Sequence, residues 1–219
     1  MPKAASRPLA RRSCRTLDPL HTMSMLVQTQ RLSDALYSLF DGRSTPSATR
    51  QFLAAGAHDA VHEHHRAIGF LVREQLCGSA FVLRRAMFDG CLRGLWLTHI
   101  ATDTEVDRFA AETYDPKPVR VLAALKTLSI SGAETLRQFY EAGWKAMSSY
   151  THGGFRQVVG RLGVGFVGAS YTAEELDSLL QHANWFALLS AIELSEISKD
   201  VRLQEEVVAL GERYVARVV

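Results

Sequence analysis

The chain has 219 residues, 47% of them hydrophobic and 22% charged, and a formal net charge of +2. That composition belongs to a soluble globular chain with one sizeable core, and a body so near neutrality disfavours tight nucleic-acid binding, which rests on neutralising phosphates. Three cysteines, Cys14, Cys77 and Cys91, form no close pair, which excludes a disulfide framework and a zinc knuckle and predicts a cytoplasmic protein.

The small net charge hides an asymmetry. The first 17 residues carry Lys3, Arg7, Arg11, Arg12 and Arg15 and no acidic residue, and they lack both helical periodicity and the apolar stretch of a secretory signal. Residues 1–22 therefore read as a basic disordered extension or as the product of an upstream start codon, with Met23 or Met25 the natural start. Residues 23–219 read as a single α-helical bundle domain.

Along that body the apolar residues recur at the helical period, and strand signals are scarce. Gln30 to Phe40 puts Leu32, Leu36, Leu39 and Phe40 on one face and stops at Asp41-Gly42. A long helix is expected from an N-cap at Ser47 to about Leu76. It carries His58, His62 and His65 within about 60° of one another, a spacing that could present three imidazoles to one metal but that also suits a polar helix face. No fourth ligand is identifiable, so no metal site is assigned.

Gly78 to Ile100, GSAFVLRRAMFDGCLRGLWLTHI, is long and apolar yet carries Arg84, Arg85, Asp89, Arg93 and His99. Each of those charges would cost several kcal/mol at a bilayer centre, so the segment reads as the buried central helix of a bundle and not as a membrane span. Arg85, Asp89 and Arg93 are spaced i, i+4, i+8, which lets Asp89 pair with either arginine and leaves one cation over for an anion such as phosphate. Arg85, Asp89 and the later Arg156 are the expected anion-binding residues.

A short polar helix opens at Asp103 or Thr104 and stops before Asp115-Pro-Lys-Pro118. Two amphipathic helices follow, Val119 to Leu128 and Ala133 to Met147. The periodicity then breaks at Thr151-His152-Gly153-Gly154, where a histidine at a helix end meets two glycines that let backbone approach a ligand. The run Gly160 to Ser170 contains the letters G-x-G-x-x-G, but no strand precedes it and no βαβ unit surrounds it, so it is read as a loop over the bundle and no nucleotide cofactor is expected. Thr172 and Glu175 form a capping box ahead of a long apolar helix, and a last helix runs from about Val201. Seven or eight helices with short links define an all-α bundle.

Arg93-Gly-Leu-Trp-Leu-Thr-His99 places an arginine six residues before a histidine, a spacing that resembles the signature of HEPN-domain ribonucleases. On a continuous helix the two side chains stand about 120° and about 9 Å apart, so they converge only if the helix ends near Thr98 or a second subunit completes the site. Gly94 also stands where that signature usually has a polar residue. More broadly, Glu63 to Leu97 together with SSYTHGG resembles a family of uncharacterised bacterial all-helical proteins, distantly HEPN-like, over roughly Leu53 to Arg161. The HEPN likeness implies a metal-independent endoribonuclease of a toxin–antitoxin or phage-defence system, with His152, Arg93 and His99 as catalytic residues, a homodimer, and RNA or an antitoxin as partner. The residues themselves lead first to a non-catalytic interaction or small-anion-binding module, without cofactor, with the ribonuclease as the alternative.

Overall fold

The computed structural model describes residues 19–130, 132–163 and 166–215. Among them the chain forms helices α1 (Pro19–Phe40), α2 (Thr49–Arg73), α3 (Cys77–His99), α4 (Asp103–Ala110), α5 (Pro118–Thr127), α6 (Ala133–Thr151), α7 (Phe155–Val159), α8 (Ala173–Ser198) and α9 (Val201–Val215). A two-residue hairpin, β1 (Leu162–Gly163) antiparallel to β2 (Phe166–Val167), lies between α7 and α8. The all-helical bundle expected from the periodicity is the observed architecture, with one helix more than expected because the one-turn α7 has too few residues to show a period. No described helix is long and apolar enough to cross a membrane.

α3 is the central helix, as its apolar sequence implied: Met87, Phe88, Cys91, Leu95 and Leu97 have no exposed surface, and the helix packs against α2, α5, α6 and α8. α2 and α3 are joined by a short turn that needs positive φ at Gln75, 60°. Close approach of the two helices depends on two glycines one turn apart on α3. A Cβ at Gly90 would lie 2.8 Å from the Val61 Cγ2, and one at Gly94 would lie 2.1 Å from the His58 Nε2. Arg50 of α2 reaches across to the end of α3, donating from Nη1 to the carbonyls of Leu97 and Ala101 at 2.9 and 2.6 Å, and so satisfies groups that a helix C-terminus leaves open.

The local start and stop chemistry follows the sequence with small corrections. α2 begins two residues after Ser47, with Ala48 at the N-cap and no side-chain cap bond. α1 begins at Pro19, upstream of the expected Gln30 and inside the segment read as an extension, and its Thr22 is buried. Residues 1–18 lie outside the described residues. Pro118 occupies the first turn of α5, where its missing N–H is no loss. The predicted Thr172–Glu175 capping box is complete, and a second one, Thr102 with Glu105, opens α4 at Asp103.

Candidate functional site

The histidine face of α2 is turned inward onto α8. His58 Nδ1 lies 3.1 Å from the Ser190 hydroxyl, His62 Nε2 donates to the Ala187 carbonyl at 3.0 Å, and His65 Nε2 donates to the Asn184 amide oxygen at 2.8 Å. Because the two helices run antiparallel, each histidine meets a different turn of α8, and the three imidazoles do not converge on one point. Burial drives all three pKa values down, His58 to about 3 and His62 and His65 to about 4, so they are neutral spacers at physiological pH. Cys91 adds its thiol to the same seam beside Ser190, at 3.4 Å, and burial pushes that thiol up to about 12, which leaves it unreactive. One turn further along α8, Glu193 meets His99 of α3 at 2.8 Å.

On the other side of α8 a cleft of about 430 Å³ opens between α3, α6 and α8. Its α6 wall is a stripe at helical spacing in which Ala142, Gly143 and Ala146 are too small to fill the gap, while Phe139 bridges to α8 against the His182 ring, centroids 4.5 Å apart. Arg84 enters from α3 and Arg156 from α7. Arg84 is the unusual group. Its Nη1 lies 3.4 Å from His182 Nδ1, its guanidinium rests over Phe81, and its buried Nε has no hydrogen-bond partner. Among the described residues no carboxylate pairs with it. Burial lowers its pKa, and Arg156 acts in the same direction. His182 is held down to about 4, by burial first and the Arg84 charge second, so its neutral Nδ1 accepts from the arginine. A positive, largely desolvated fork beside a second arginine and an apolar wall is what a small anion with an apolar body requires.

Residues 58–219 match a family of unknown function, DUF6988. The chain belongs to the DUF6988 family. In this DUF6988 chain the matched segment opens at His58, the first histidine of the seam, and takes in every residue that lines the cleft. No curated protein and no solved structure matches the chain.

The residues singled out from the sequence take separate places in the DUF6988 fold. Arg85, expected at an anion site, is fully engaged: Nε donates to Asp89 at 2.7 Å, Nη1 to the Ser148 hydroxyl at 2.8 Å, and the guanidinium lies 3.4 Å from the Trp144 ring centroid. Arg93 does not share Asp89; it pairs with Asp115 and donates to the Pro116 carbonyl at 3.4 Å, tying α3 to the loop before α5. His99 turns the other way, to Glu193, so Arg93 and His99 share no partner, as the helical angle between them implies. His152 caps the end of α6 and is exposed. Its two glycines have a structural use: Gly153 adopts φ 66°, and a Cβ at Gly154 would come within 2.8 Å of the Ser149 hydroxyl. That tight turn, closed by the Arg156 N–H donating to Ser149 at 3.0 Å, swings Arg156 onto the cleft. Of the expected anion-binding residues, then, Arg156 lines the cleft, while Arg85 and Asp89 satisfy each other.

Two residues that the sequence reading passed over matter here. Arg84 was hidden by its neighbour: the pair Arg84-Arg85 points in directions about 100° apart, Arg85 has Asp89 one turn on where Arg84 has Phe88, and only the packing of α8 brings His182 to Arg84. His182 lay in a helix read for its apolar face alone.

Proposed function

We propose that this protein is a non-catalytic helical module that binds a small anion in the cleft between α3, α6 and α8. The observation that carries the reading is the Arg84 guanidinium, largely buried and without a carboxylate partner among the described residues. An uncompensated buried charge is costly, and a structure retains one where a ligand completes it. Arg156 supplies a second cation, and Phe139, Phe186 and Met147 offer the apolar wall that orients the rest of the ligand. The DUF6988 family brings no activity of its own to this assignment.

Thermal unfolding of the full chain in the presence of inorganic phosphate, phenyl phosphate or benzoate tests it. A ligand present at 100 times its Kd should stabilise the fold by about 2.7 kcal/mol. The Arg84→Met protein should lose that response while melting at or above the parent temperature without ligand, because the substitution removes an unpaired buried charge. An absent response to all three anions, or an equal response in Arg84→Met, refutes the reading. RNA cleaved by the parent in EDTA and left intact by a folded His152→Ala variant would replace it with the ribonuclease.

A further inference from the structure

At the far end of the α8 seam from the cleft, His99, Glu193 and Glu196 bring one ligand atom each to within 4.8 Å of one another. We infer that these three side chains form a binding site for a divalent transition-metal ion. The set comes from two helices: Glu193 and Glu196 stand one turn apart on α8, and His99 is the last residue of α3. Its chemistry is one imidazole nitrogen and two carboxylates, the mixed N/O donor set that Zn²⁺, Mn²⁺ and Fe²⁺ accept, with positions left for water.

This differs from an acidic patch on a surface. Glu193 is only 4% exposed, and its sole hydrogen-bond partner among the described residues is His99. With both carboxylates ionised, the charge of these three side chains does not close without a further cation. With His99 protonated the cluster carries one net negative charge; with neutral His99 and a divalent ion it carries none.

The dimensions suit an ion. Neighbouring ligands around a metal bonded at about 2.1 Å stand about 3.0 to 3.4 Å apart, and His99 Nε2 and Glu193 Oε2 are already at 2.8 Å. Glu196 is exposed and its side chain makes no hydrogen bond among the described residues, so it can close the remaining gap by rotation. Because His99 binds either a proton or the metal through Nε2, the site should load better at pH 8 than at pH 6. About 16 Å of α8 separates Glu193 from His182, so this inference stands or falls independently of the anion cleft.

The test uses the full, untagged chain, stripped with EDTA and desalted, then titrated at pH 8 with Zn²⁺ and separately with Mn²⁺, bound metal being counted by atomic emission. We expect one equivalent per chain for one or both ions. Glu196→Gln, at an exposed position that leaves folding intact, and His99→Gln should each weaken binding tenfold or more, and His64→Ala should leave it unchanged. Failure of both ions to reach a stoichiometric plateau, or affinity that survives Glu196→Gln, overturns the site.

Discussion

Lowering the pH from 7.5 to 5 should destabilise this fold steeply, and the size of the effect can be worked out from four side chains. His58, His62, His65 and His182 are held at about 3, 4, 4 and 4 in the folded chain, against about 6.5 when unfolded. A histidine whose folded pKa is depressed contributes nothing adverse above about pH 7.5. As the pH falls through 6.5 the unfolded chain takes up a proton that the folded chain refuses, and stability is lost until the folded pKa is reached. At pH 5 that amounts to about 2 kcal/mol for each group, or about 8 kcal/mol for the four as an upper bound. His99 works the other way, because its hydrogen bond to Glu193 raises its pKa and favours folding in acid, as does the raised carboxyl of Glu196. Four groups against two still leave a loss comparable with the whole stability of an ordinary domain, about 5 to 15 kcal/mol. Urea unfolding followed by circular dichroism at half-unit pH steps measures this directly. Near pH 5 the slope of stability against pH should correspond to about three protons taken up on unfolding, or about 4 kcal/mol per pH unit. A stability that stays flat from pH 7.5 to 5 would mean that these imidazoles are solvated in the folded chain, and the closed seam between α2 and α8 would have to be abandoned.

Gly94→Ala should destabilise the fold by about 3 kcal/mol despite its better helix propensity, because the new methyl would meet an imidazole 2.1 Å away that α8 prevents from retreating. In His58→Ala that obstacle is gone, so chemical denaturation of the double variant should show a destabilisation smaller than the sum of the two single changes; strict additivity would remove the steric explanation. The ionic stripe of α3 should prove unequal. Arg85→Met strips Asp89 and Ser148 of a partner and Trp144 of a cation, and should lower stability by about 1 to 2 kcal/mol. Arg93→Met breaks a pair whose Asp115 side chain is 64% exposed, and should cost less than about 1 kcal/mol. Equal effects of the two substitutions would contradict this assignment of partners.

What the sequence made legible was whatever depends on neighbours along the chain. The Thr172–Glu175 capping box and the Arg85–Asp89 pair span three and four residues, and both are present with the partners their spacing implies. The common face of His58, His62 and His65 was legible for the same reason. What that face meets was not, because Asn184, Ala187 and Ser190 lie more than a hundred residues away, and only the packing of α8 brings them opposite. Gly94 shows the same limit from the other side: as a letter it weakened a motif, and in the fold it is the space in which the His58 ring sits. The acidic residue Glu193 carried a signal that could have been followed. It interrupts the apolar run Phe186 to Leu194, and a charge inside an apolar run is what marked α3 as a helix with polar business in its interior.

The order of partners along α8 gives the seam a role beyond filling space. From Asn184 to Glu193 the helix offers its neighbours an amide, a carbonyl, a hydroxyl and a carboxylate, each three residues apart and each meeting one histidine, and only the carboxylate is charged. Apolar faces alone would let α8 slide by a turn with little penalty, since leucine packs against leucine in either register. A slip that carried Glu193 to His58 would bury a carboxylate against an imidazole with no exposed surface, whose pKa of about 3 shows how strongly that site resists charge. The carboxylate is tolerated only at the partly exposed end, beside His99. These contacts, Glu193 above all, therefore disfavour that slipped register by more than they add to stability, because the slip would bury the carboxylate away from His99. In doing so they fix where His182 stands relative to Arg84, and with it the shape of the cleft.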